Sequence, residues 1–293
     1  MCLWKIAIFL SVFSGWASPS LQGHDEQRGL FGFLFSPCQC KCGIKNLEAR
    51  FLGGEYTKGH EFPWLALIQI KGFPAASATL INSRYVITAA WHLIGLTPYD
   101  IKITFGQFDK CFPDVSSNNV SVEKILIHPD FNPSNRAHDI ALVKTTGTII
   151  FERRISPICL GFPDTKYVGQ VATVAGWDQS KNSDGSSSSS CRPKKVGLPV
   201  LGPSECLMSR NVQNVSADKG CLGVLGAPSV ICGSDAGSPV MYRSYDGVYE
   251  LIGIMTDSNE CSTQPSTALY TRIDEHLSWI TRSTREGCYC LKI

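Results

Sequence analysis

The sequence predicts an all-β fold on three observations: short alternating or apolar runs, turn residues at the breaks between them, and a single helix-like stretch near the end. The runs are Trp64 to Ile70, Thr79 to Ala90, Ile101 to Phe105, Val120 to Ile127, Ile140 to Lys144, Val168 to Gly176, Pro239 to Tyr242 and Val248 to Met255. Many short runs at such spacing build a sandwich or a barrel. Asn82-Ser83-Arg84 divides one run as a hairpin turn does, and Asp184-Gly185 followed by Ser186 to Ser190 reads as a solvated loop. Ile273, Leu277 and Ile280 recur at helical spacing ahead of Gly287, which predicts one terminal helix over Ile273 to Arg285.

A chain of 293 residues with 43% hydrophobic content buries a full core as one large domain or two coupled halves. Its net charge of +2 and lack of a long Lys/Arg cluster argue against nucleic acid or an anionic membrane as partner. Residues 1–17 read as a signal peptide: Lys5 precedes the apolar run Ile6 to Phe13, which is too short to span a bilayer, and Gly15 and Ala17 are small residues suited to cleavage. Residues 18–50 read as a short cysteine-containing pro-segment and residues 51–293 as the main domain. Of thirteen cysteines, Cys2 leaves with the signal peptide, and the remaining even number in a secreted chain predicts disulfides. No metal or cofactor is expected, since Cys38, Cys40 and Cys42 have no nearby histidine and no second pair at zinc-finger spacing. Asn119-Val120-Ser121 and Asn214-Val215-Ser216 are glycosylation acceptors.

Seven separated landmarks then occur in one order: Arg50-Phe51-Leu52-Gly53-Gly54, Pro63-Trp64, Leu80-Ile81-Asn82, Ile87-Thr88-Ala89-Ala90, Asp139-Ile140-Ala141-Leu142, Ala175-Gly176-Trp177 and Tyr270-Thr271-Arg272. Together they make residues 51–284 resemble the trypsin/chymotrypsin-like serine proteases. The resemblance implies two six-stranded antiparallel β-barrels with a carboxy-terminal helix, and a serine, histidine and aspartate that together cleave peptide bonds.

The aspartate of that triad maps to Asp139, which is present. The serine motif Gly-Asp-Ser-Gly-Gly-Pro becomes Ser234-Asp235-Ala236-Gly237-Ser238-Pro239, so a methyl stands where the nucleophile belongs. Loss of that serine costs about a million-fold in turnover in a related triad. The histidine motif Thr-Ala-Ala-His-Cys becomes Thr88-Ala89-Ala90-Trp91-His92, which puts Trp91 at the base position unless His92 is shifted into it. The cysteine of that motif and its partner fall on His92 and Ala76, so both halves of one family disulfide are absent.

The recognition parts depart in the same direction. The base of the specificity pocket maps to Val230, the pocket wall reads Thr256-Asp257-Ser258, and the oxyanion-hole glycine becomes Ser234. The zymogen switch is retained in sequence, with a cleavage site at Arg50-Phe51 and Asp235 as the acid that would pair with the new terminus at Phe51. The resemblance further implies the bridges Cys42–Cys159, Cys111–Cys191, Cys206–Cys221 and Cys232–Cys261, leaving Cys38 and Cys40 to pair with Cys288 and Cys290 in an undetermined order.

The pro-segment, Arg50-Phe51 and the stretch Phe105-Gly106-Gln107-Phe108-Asp109 are similar to arthropod secreted serine protease homologues, although the pro-segment is too short and cysteine-poor for a clip domain. The expectation is a secreted, catalytically inactive homologue that binds proteases, zymogens or their substrates and regulates an extracellular cascade. The alternatives are a decoy or binding component of venom, saliva or reproductive fluid, and a residual hydrolase using His92 or a flanking serine.

Overall fold

The computed structural model describes residues 37–46, 57, 59–112, 117–161, 167–177, 179–181, 187–208, 216–226, 236–256 and 267–292. Six strands close the first barrel: β2 (Leu65–Ile70), β3 (Phe73–Leu80), β4 (Tyr85–Thr88), β5 (Ile101–Phe105), β6 (Asn118–Ile127) and β7 (Ala141–Thr145), in the order β2-β3-β4-β7-β6-β5. All the pairings are antiparallel. In β5 the solvent-facing Lys102 separates buried Ile101 from buried Ile103, as period-two alternation requires. Register shifts at Ile68/Gln69 and Val122/Lys124 add the local bends that closing a small barrel needs.

The hairpin between β3 and β4 is held by its own asparagine: Asn82 Oδ1 accepts the backbone N–H groups of Arg84 at 3.0 Å and Tyr85 at 2.9 Å. This is the local geometry that favours asparagine in turns. A 3-10 turn, Ala90–Leu93, follows β4 and is anchored by buried Ala90 and Leu93.

The second barrel comprises β9 (Val171–Gly176), β12 (Lys194–Leu201), β13 (Lys219–Leu222), β14 (Pro239–Arg243), β15 (Tyr249–Met255) and β16 (Ala268–Arg272). Its order is β14-β9-β12-β13-β16-β15, closed by the β14–β15 pairing, and the two-residue β8 (Cys159–Leu160) adds to β15 in parallel. The barrels share one large core in which Trp64, Ile140, Ala175, Ala236, Met241 and Leu251 are all buried. The Trp64 indole N–H points at Met241 Sδ, 3.0 Å away, across that seam.

The terminal helix begins later than its apolar spacing predicts. Asp274–His276 form a 3-10 turn and α2 runs Leu277–Ser283, with Leu277 and Ile280 buried; α1 is the short helix Pro203–Met208. The serine tract is not all loop: β11 (Ser187–Ser189) pairs antiparallel with β10 (Gln179–Lys181).

The two ends of the chain are tied together. β1 (Pro37–Lys41) runs parallel to β17 (Tyr289–Leu291), and Cys38–Cys288 and Cys40–Cys290 cross-link the pair. Cys42–Cys159 anchors the same segment to the second barrel, Cys111–Cys191 is a further long-range bridge, and Cys206–Cys221 is a buried bridge from α1 to β13. Gly43 turns the segment inward at φ +69°; a Cβ there would overlap the Tyr249 carbonyl, so the position requires glycine. Cys232 and Cys261 lie outside the described residues.

Candidate functional site

Asp139 is fully buried just ahead of β7. Each oxygen of its carboxylate accepts a hydrogen bond: the Trp91 backbone N–H donates to Oδ1 at 2.9 Å and the Thr256 hydroxyl to Oδ2 at 2.6 Å. The Thr271 hydroxyl donates to the Asp139 carbonyl at 3.0 Å. Donors from both barrels therefore converge on this one acid, which is what a buried carboxylate requires.

Trp91 projects from the 3-10 turn with 40% of its surface exposed. The Arg136 guanidinium lies over its face, 3.1 Å from the ring centroid. Arg136 sits at φ +60°, and the turn around it is fixed by the Ala137 N–H donating to Asn135 Oδ1 at 3.0 Å. Trp91 is thus the residue whose main chain touches Asp139, and its exposed side chain forms a cation–π pair with the half-buried Arg136. His92 follows in the same turn and is partly buried.

Ala236 is 1% exposed and opens the turn that leads into β14. At Gly237, φ is +88° and a Cβ would strike the Ser77 carbonyl and the Thr88 hydroxyl, so this turn too depends on glycine. The Gly237 N–H donates to Met255 O at 2.8 Å and the Met255 N–H to Ser238 O at 2.9 Å, pinning the turn to β15. Ser238 is fully buried; its hydroxyl faces Gly176 and has no hydrogen-bond partner among the described residues.

Behind Asp139 lies a second polar layer. The His138 N–H donates to Asp218 Oδ2 at 2.9 Å, and Asp218 pairs with Lys219 Nζ at 2.9 Å, both side chains being 3% exposed. Burial raises the Asp218 carboxyl, but the Lys219 charge and hydrogen bonds from Ser216, Lys219 and His138 bring it below the usual carboxylate range. For Lys219 burial dominates and lowers the ammonium. Burial, then the charges of His276 and His138, hold His128 down to about 4, and burial likewise lowers His276.

Arg50, Phe51, Asn214, Val230, Ser234, Asp235, Asp257 and Ser258 lie outside the described residues. Asn119 is exposed on β6, where its Oδ1 accepts the Thr104 hydroxyl at 2.7 Å. Sequence reasoning missed Arg136 over Trp91, for which no local motif exists, and it took Thr256 only as pocket wall.

Comparison with known proteins identifies the architecture. The model of the family described as Trypsin matches residues 51–280. The chain belongs to the trypsin family. Among trypsin-family relatives it is similar to CLIP domain-containing serine protease B4 of Anopheles gambiae, 31% identical over 82% of this chain and 71% of the relative. Serine protease 7 of Drosophila melanogaster is 28% identical over 90% of this chain and 72% of its own length. Phenoloxidase-activating factor 3 of Holotrichia diomphalia is 29% identical over 86% and 76%.

Proposed function

We propose that this chain is a non-catalytic member of the trypsin family that binds proteases, zymogens or their substrates and regulates an extracellular cascade. The observation that carries the reading is the buried methyl of Ala236, at the position that matches the family's nucleophile. An alanine has no lone pair for acyl transfer. The neighbouring Ser238 hydroxyl is enclosed against Gly176 and is no substitute. At the base position Trp91 carries an indole, whose N–H only donates and takes no proton.

Binding is supported by what is exposed in the same place. Trp and Arg are residue types that dominate interface energetics, and exposed Trp91, held in place by the half-buried Arg136, presents such an anchor beside Asp139. The disulfides and the amino-terminal pattern of residues 1–17 support secretion. Among the described residues no helix is long and apolar enough to cross a membrane. A relative named for activating phenoloxidase directs the partner search to protease cascades of that kind.

Cleavage after Arg50 is the proposed switch, with the Phe51 ammonium pairing with Asp235 and the new conformation read by a partner. The test is cross-linked pull-down from native extracellular fluid with intact and Arg50-cleaved protein, alongside Trp91→Ala. The expected result is a protease or zymogen partner that prefers the cleaved form and is bound about 30-fold more weakly by W91A, a central-anchor effect of about 2 kcal/mol. Equal capture by Arg50→Gln and cleaved protein overturns the switch, and peptide turnover by the cleaved chain overturns the non-catalytic reading.

A further inference from the structure

Three histidines from two separate stretches of the sequence meet beside Asp139. His128 follows β6, His138 immediately precedes Asp139 in left-handed backbone at φ +52°, and His276 ends the 3-10 turn ahead of α2. Their rings pack as a unit: His128 stacks on His138 at 5.0 Å between centroids with 15° between planes, and His276 meets them edge-on at 5.0 and 5.2 Å. One ring nitrogen from each lies within 4.8 Å of the others. We infer that these three imidazoles form a binding site for a borderline divalent transition-metal cation, zinc foremost, which clamps the loop after β6 to the carboxy-terminal turn.

The chemistry of the donor set supports this. His276 Nδ1 lies 2.7 Å from the Arg272 carbonyl, so Nδ1 carries the proton and Nε2 is left with its lone pair facing the cluster. A second-sphere carbonyl that fixes the tautomer and aim of a ring is the usual arrangement around metal-bound histidine. His138 Nδ1 is 3.0 Å from that Nε2. Two nitrogens of a tetrahedral zinc site with bonds of 2.0–2.1 Å lie about 3.3 Å apart, so the pair needs to open by only a few tenths of an ångström.

Without a metal the His138 Nδ1–H donates to His276 Nε2; with one, that proton moves to Nε2 of His138 and both lone pairs face the cation. Without a metal His128 Nδ1 accepts the Asp130 N–H at 3.2 Å, a contact that gives way when the ring's single lone pair turns to the cation, and Trp279 packs on its ring at 4.8 Å. Asp218 brings a carboxylate close to the cluster, its Oδ2 4.0 Å from His276 Nε2 and shared with Lys219 Nζ at 2.9 Å, while Oδ1 accepts the Ser216 hydroxyl. Three neutral imidazoles with a fourth position left to water or an external ligand select zinc and copper over calcium or magnesium. Among the described residues a second close grouping, Asp109 with Cys111 and Cys191, has its sulfurs consumed by a disulfide.

The test uses the full secreted chain without an affinity tag, stripped by chelator, titrated with zinc by calorimetry and with cobalt(II) by absorption. The expected result is one equivalent bound, with the ligand-field spectrum of a tetrahedral nitrogen-rich site. His128→Gln and His138→Asn should each weaken binding by more than about 100-fold, beyond the loss from an outer-sphere partner. His60→Gln, outside the cluster, should leave it unchanged. Wild-type protein with no stoichiometric uptake, or both variants binding as tightly as wild type, overturns the site. If the variants fail to fold by near-ultraviolet circular dichroism, the wild-type cobalt spectrum decides alone. None of these outcomes depends on whether the chain is catalytic.

Discussion

Asp139 is fully buried with a donor on each carboxylate oxygen, and under the proposed non-catalytic reading its work is structural. Asp139→Ala should strand the Trp91 N–H and the Thr256 hydroxyl and lower stability by about 2 to 4 kcal/mol, read by urea denaturation. A loss within error would remove the structural role. Buried phenols give a second prediction. Burial lifts Tyr270 to about 12, and burial also lifts Tyr289 to about 12 against the lowering hydrogen bonds of Thr284 and Asn82. Both groups are raised above their unfolded value of about 10. Their contribution is therefore complete below pH 10 and is lost as pH rises toward 12. Tyr270 and Tyr289, with Tyr85 also raised by burial, should ionise late in an alkaline absorbance titration, together with unfolding; all nine tyrosines of the sequence titrating together near 10 would contradict it.

The strands that sequence made legible are those whose faces are cleanly buried, such as β5 and β7, and the helix read from Leu277 and Ile280. β12 was hidden because Gly197 and Pro199 lie inside it, residues that ordinarily argue against a strand, and β13 because Lys219, Gly220 and Cys221 carry no alternation. Long-range pairing with β9 and β16 overrides those local signals. At the site, Ala236, Trp91 and Asp139 were readable from motif position, whereas Arg136, Thr256 and the three histidines come together only through tertiary contacts. The strap of β1 on β17 is a similar case: sequence identified its four cysteines and left their order open, and parallel pairing sets Cys38 against Cys288 and Cys40 against Cys290. Replacing Cys40 and Cys290 together by serine should cost about 2 to 5 kcal/mol in denaturant, with the other barrel bridges intact.

The two barrels meet along one continuous core, and the segment ahead of Arg50 is bound to the body at three disulfides. Cleavage after Arg50 should therefore leave one covalent molecule: a single band on non-reducing electrophoresis that splits into two on reduction. Release of the amino-terminal piece without reductant would contradict the strap. Scaffold and tether are retained, and in the proposed reading the nucleophile position carries a methyl and the base position an indole unless His92 is shifted into it, a combination that suits a binding role. The measurement closest to that claim is covalent labelling of the Arg50-cleaved chain by a fluorophosphonate, run beside Ala236→Ser. The account predicts no labelling of the wild type and no trypsin-like peptide turnover by the single variant, since the base and pocket positions also differ. A stoichiometric adduct on any serine of the wild type, or robust cleavage by A236S, would contradict it.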